Sequence, residues 1–74
     1  MSQYPSITGK ELIKALSKIG FLVSRINGSH NRVEHSDGRK TTIPVHGKET
    51  LGRGILSKIL RDIELNRDEL LKLL

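Results

Sequence analysis

The chain has 74 residues and no cysteine, which leaves room for one domain and excludes both disulfide staples and cysteine-based zinc sites. Its net charge of +5 is uneven: Lys10 to Arg61 holds eleven Lys and Arg against four Asp and Glu, whereas Asp62 to Leu74 holds two against four, so the basic character belongs to the body of the domain and favours a polyanionic partner, most often nucleic acid. Tyr4 and Phe21 are the only aromatic residues, too few for the stacking platforms of single-strand readers.

No apolar run approaches the roughly 20 residues needed to cross a bilayer. The start, "MSQYPSITGK", has neither the basic opening nor the apolar middle of a secretory signal. A cytoplasmic protein with no membrane partner is expected, and the lack of cysteine suits a reducing compartment.

In chain order, residues 1–7 read as a flexible N-terminus. Thr8-Gly9-Lys10-Glu11 then fits a capping box, and Leu12, Ile13, Leu16 and Ile19 follow at helical spacing. The spacing predicts a helix from about Gly9 to Ile19, stopped by Gly20, with Lys10, Lys14 and Lys18 in a row on another face. Phe21 to Ile26 is rich in β-formers. Asn27-Gly28 is a strong hairpin signal, because both residues tolerate the positive φ of a type I′ turn. Ser29 to His35 is the second strand and Lys40 to Val45 the third. Pro44 cannot donate to a ladder, so the third strand should lie at an edge or end there.

After the loop "HGKETLGRG", a second helix is predicted from Gly52 or Arg53, with Ile55, Leu56, Ile59, Leu60 and Ile63 as its buried stripe. Asn66-Arg67-Asp68-Glu69 looks like another capping signal, opening a short helix over Arg67 to Leu73 within a C-terminal extension, 66–74. The order is α-β-β-β-α plus a small helix. A three-stranded antiparallel sheet offers one face to both long helices, so residues 1–74 should form a single α+β domain, a two-layer sandwich with its other sheet face in water.

Side chains alternate along a strand. Val33 is the one strongly apolar residue of the second strand, so its face should meet the helices, leaving His30, Arg32 and Glu34 in water. An odd-length turn around Asp37-Gly38 puts Thr41, Ile43 and Val45 inside, and Lys40 and Thr42 outside with His30. The first hairpin stays open. A two-residue Asn27-Gly28 turn would pair Ile26 with Ser29 and Arg25 with His30, turning Leu22 and Ile26 inward and leaving Phe21 and Val23 wet. A loop one residue longer reverses that choice.

His30 has a plain reading, a solvated residue beside a turn, and a functional one, proton transfer or phosphate contact. Histidine donates and accepts near neutral pH. Cleaving RNA without a metal needs a base for the 2′-hydroxyl proton and an acid for the leaving oxygen. Arg25, Arg32 and Lys40 would hold the phosphate and stabilise developing charge. His46 reads as a loop residue or a second contacting group, and His35 as structural. Spacings of 30, 35 and 46 match no standard zinc pattern, and neither metal nor cofactor is expected.

The segments "GSHN" (Gly28 to Asn31), "TTIPVHG" (Thr41 to Gly47) and "GRGILSKILRDIEL" (Gly52 to Leu65) together resemble the HicA family of small toxins, within the broader YcfA/HicA-like group, over about Thr8 to Leu65. The resemblance implies a double-stranded-RNA-binding-domain-like fold and an mRNA interferase that cuts RNA and arrests translation. It implies a HicB-type antitoxin that covers the active surface. It makes His30 the catalytic histidine, Gly28 and Ser29 turn and positioning residues, and sets His46 of Pro44-Val45-His46 among the substrate-positioning group. Asn31 stands where many relatives carry a second histidine or a bulky residue. The tail after Leu65 exceeds the shorter members, and a homodimer or an antitoxin hetero-oligomer would give it a surface.

Two other functions fit the residues. One is a non-catalytic RNA-binding module that reads duplex shape and phosphates, using the Lys10, Lys14 and Lys18 row. The other is a subunit whose exposed face serves mainly a protein partner.

Overall fold

The computed structural model describes residues 4–74. Its elements are α1 (Gly9–Ser17), β1 (Leu22–Asn27), β2 (His30–Glu34), β3 (Lys40–Pro44), α2 (Arg53–Asp62) and α3 (Arg67–Leu71). The strands form one antiparallel sheet in the order β1-β2-β3. Helix α1 packs on β1 and β3, and α2 on β3, so both lie on one face of the sheet. This is the expected two-layer α+β sandwich of double-stranded-RNA-binding-domain-like order.

The capping box of α1 forms as read. Thr8 Oγ1 accepts from the Glu11 N–H at 3.1 Å, and the Thr8 N–H donates to Glu11 Oε1 at 2.8 Å. Leu12, Ala15 and Leu16 are buried, while Ile13 and Ile19 pack at the core's margin. The helix ends at Ser17 rather than Ile19. Its last carbonyls are closed by the Phe21 N–H on Leu16 O (3.2 Å) and the Gly20 N–H on Ser17 O (3.3 Å), a Schellman closure. At its other end α1 presses on β3: a Cβ added at Gly9 would run into the Pro44 carbonyl oxygen. No larger residue fits that approach.

The flexible leader expected over 1–7 lies at 1–3 outside the described residues. Within them, Tyr4 packs against the core, and Ile7 is buried with its carbonyl accepting from the Leu51 N–H at 2.8 Å. These residues belong to the packed body.

Val33, Ile43 and Thr41 face the helices. Thr41 is buried, but its hydroxyl donates to Asp62 Oδ2 at 2.9 Å, so no polar atom is stranded. Leu56, Ile59, Leu60 and Ile63 supply the stripe of α2, whereas Ile55, expected in that stripe, is 48 % exposed on its flank. The capping box of α3 is present, with Asn66 Oδ1 accepting from the Glu69 N–H at 2.8 Å. That helix is shorter than predicted. Leu70 is buried, Leu71 and Leu74 stay exposed, and the Leu73 carbonyl accepts from Lys18 Nζ at 2.6 Å.

The first hairpin differs from the Asn27-Gly28 reading by one residue. Asn27 is the last residue of β1 and pairs with His30, so the turn is Gly28-Ser29. Gly28 has φ +62 and Ser29 does not have a positive φ, the pattern of a type II′ turn rather than I′. The register then shifts between Val23 and Arg25, with Ser24 as the extra residue of a bulge. A straight strand would have set Ser24 opposite Val33. The bulge lets Val23 face Val33, while Phe21, just before the strand, is 1 % exposed in the core. Arg25 consequently stands opposite Arg32, not His30.

Candidate functional site

The strand register builds a small grid on the water-facing side of the sheet. His30 lies between Asn27 of β1 and Pro44 of β3, and Arg32 lies between Arg25 and Thr42. Arg25, Asn27, His30, Arg32 and Thr42 line one open concavity of about 400 Å³. His30, Arg25 and Asn27 are exposed; Arg32 and Thr42 are half-buried.

The electrostatics of the grid favour an anion. Like charges directly opposite across strands destabilise a sheet, yet Arg25 and Arg32 are such a pair. Glu34, the only acid in the three strands, relieves this in part. Its Oε2 accepts from Ser24 Oγ at 2.9 Å and lies 3.8 Å from Arg32 Nε, while Arg32 Nη1 reaches Thr42 Oγ1 at 3.5 Å. Among the described residues, Arg25 enters no ion pair. A phosphate between the two guanidiniums would replace repulsion with charge-assisted hydrogen bonds.

The other residues singled out from sequence fall outside the concavity's lining. Gly28 and Ser29 act through the backbone: the Ser29 carbonyl accepts from the Val45 N–H at 2.7 Å, which fastens the turn to the end of β3 and fixes where His30 begins its strand. Asn31 points to the opposite face from His30 and its Nδ2 reaches the same Ser29 carbonyl at 3.4 Å. Lys40 sits opposite Glu34 at the far end of β3. His46 lines a separate hollow with Pro44, Glu49 and the start of α2. Asn27 and Thr42 join the site only in the structure. Alternation along β3 signals Thr42, whereas Asn27 reads as a turn residue until the register is known.

Two carboxyls are held below their ordinary range, both away from this face. A hydrogen bond from the Arg39 backbone N–H, then the Arg39 guanidinium, lowers Asp37. Hydrogen bonds from Lys58 and Thr41 lower Asp62. Among the described residues no three His, Asp or Glu gather as metal ligands would.

The family model for the HicA toxin of bacterial toxin–antitoxin systems matches residues 9–65. The chain belongs to the HicA toxin family. The HicA match takes in both long helices and the whole sheet, and with them every residue lining the His30 concavity. Only α3 and the chain before α1 lie beyond it. No curated protein matches the chain. Among the described residues, no helix of this HicA-family chain is long and apolar enough to cross a membrane.

Proposed function

We propose that this toxin is an endoribonuclease, an mRNA interferase of a type II toxin–antitoxin system, with His30 as its proton-transfer group. The observation that carries the reading is the placing of one exposed imidazole in the same concavity as two arginines that face each other across the sheet. His30 takes the proton of a ribose 2′-hydroxyl. The 2′ oxygen then attacks the adjacent phosphorus, the bond from phosphorus to the 5′ oxygen breaks, and that oxygen leaves with a proton from His30 or from water. The products are a 2′,3′-cyclic phosphate and a 5′-hydroxyl. Arg25 and Arg32 hold the phosphate and stabilise its developing charge, while Asn27 and Thr42 offer hydrogen bonds to the neighbouring nucleotide. Gly28 and Ser29 keep His30 at the strand start. A HicB-type antitoxin neutralises the toxin by covering this face.

The test is RNA cleavage in EDTA by the unaltered chain and by His30→Ala. A positioned acid or base contributes about 10²–10⁴-fold, so the variant should cut at least about 100-fold more slowly with RNA binding retained. Equal cleavage by the two would remove His30 from the mechanism. Salt-sensitive RNA binding by the unaltered chain, with no cleavage over hours, would favour a binding module instead.

A further inference from the structure

The two edges of the sheet are built differently. Strand β3 begins with Lys40 and ends in Pro44, which has no N–H to offer. Both devices discourage the addition of another strand. Strand β1 carries neither, and all six of its residues are exposed. Three are large and apolar: Leu22 at 70 %, Val23 at 39 % and Ile26 at 67 % exposure. Val23 and Ile26 stand opposite Val33 and Asn31, so they lie on the helix side and prolong the core past the sheet's edge. Leu22 and Arg25 stand opposite Glu34 and Arg32, on the side of the His30 concavity.

Charge decides between the proteins that could pair with this edge. A second copy would bring another Arg25 to a face where Arg25 and Arg32 already oppose each other, together with a further net charge of +5. A partner strand bearing carboxylates reverses the sign of the interaction, and membership of a toxin–antitoxin family supplies a protein partner. We propose that β1 receives an extended strand of the antitoxin, with apolar side chains over Val23 and Ile26 alternating with Asp or Glu over Arg25. The proposal rests on the reading above that an antitoxin masks the His30 face, and it names how: added main-chain pairing anchors the strand, and its carboxylates take the place of RNA phosphate on Arg25.

Hydrogen exchange of the backbone amides, measured on the free toxin and on its complex with the cognate HicB-type antitoxin, tests this directly. The amides of β1 that point away from β2 should become protected in the complex. The variant Val23→Thr/Ile26→Asp alters two residues on the helix side of β1, away from the His30 concavity. It should stay folded by circular dichroism, cut RNA as the unaltered toxin does, and bind antitoxin at least about 10-fold more weakly. Unchanged exchange over β1 overturns the proposal, as does binding by a folded double variant within about two-fold of the original. A concentration-dependent dimer of the free toxin that the double variant abolishes would assign the edge to a second copy instead. If the free toxin cuts no RNA, the nuclease reading falls, and the exchange data still decide what β1 binds.

Discussion

His35 follows β2, and its surroundings assign it a structural task. Its Nδ1 lies 3.1 Å from the Asp37 backbone nitrogen and 3.2 Å from Asp37 Oδ1, and its Nε2 faces a carbonyl, which only an N–H can satisfy. That N–H donates to the Ile19 carbonyl at 2.9 Å, and the ring meets Phe21 edge-on at 5.0 Å between centroids. One imidazole thus ties the end of α1 to the β2–β3 turn. His30, five residues earlier, is instead open to solvent beside two guanidiniums. The two histidines should therefore fail in opposite ways. His35→Ala leaves the Ile19 carbonyl without its donor and opens a gap beside Phe21, a loss of about 2 kcal/mol. Urea denaturation should show that loss as a lower midpoint, while RNA cleavage per folded molecule stays within about two-fold of the original. A His35→Ala chain that is fully stable but inactive would mean that the wrong histidine has been given the chemistry.

At the scale of elements, the β1–β2 hairpin decides which side chains meet. Its turn hangs on Gly28, whose φ of +62 an ordinary residue adopts only under strain. No atom stands near the position of an added Cβ, so Gly28→Ala isolates the backbone cost. That cost is about 1 kcal/mol. A thermal melt should show it, and cleavage should fall as well, because the turn sets Asn27 opposite His30. Much of the fold could be read beforehand. Capping boxes at Thr8 and Asn66 marked two helix starts, and alternation around Val33 and Ile43 turned His30, Arg32 and Thr42 outward. The hairpin register could not be read, because Asn27-Gly28 and Gly28-Ser29 are both acceptable turn pairs. Either turn pair, on a straight strand, leaves Phe21 and Val23 on the wet face; the bulge at Ser24 turns both inward, a tertiary demand that the hairpin pattern does not carry. The partners of Arg25 follow from that register, and so were equally hidden. Charge alone groups Lys40 with His30, and the family resemblance adds His46, but their positions along and beyond β3 separate both from it.

For the molecule as a whole, two lowered carboxyls fasten the helix layer and the far turn to the sheet. Asp37 holds Arg39 through Nε at 2.8 Å, and Arg39 Nη1 reaches across to the Ile63 carbonyl at 2.8 Å. Asp62 accepts from buried Thr41 and from Lys58, joining α2 to β3. Both carboxyls lie below the ordinary value of 3.8 in the folded chain. Their contribution to stability is therefore complete above that value and is lost as pH falls through the lower, folded one. Acid also works through net charge. The chain already carries +5 at pH 7, and each carboxylate it protonates adds to the self-repulsion of the compact state. The two effects differ in their response to salt. Added salt screens the general repulsion, whereas the Thr41 hydrogen bond to Asp62 is short, partly buried and little affected. Urea midpoints taken from pH 7 down to pH 3 should hold nearly level to about pH 5 and fall below about pH 4. Asp62→Asn should begin lower at pH 7 and lose less on acidification, since it has one fewer proton to take up. If that variant kept the full acid slope at high salt, the anchoring of α2 to β3 through Asp62 would play no part in acid unfolding, and net charge alone would govern it.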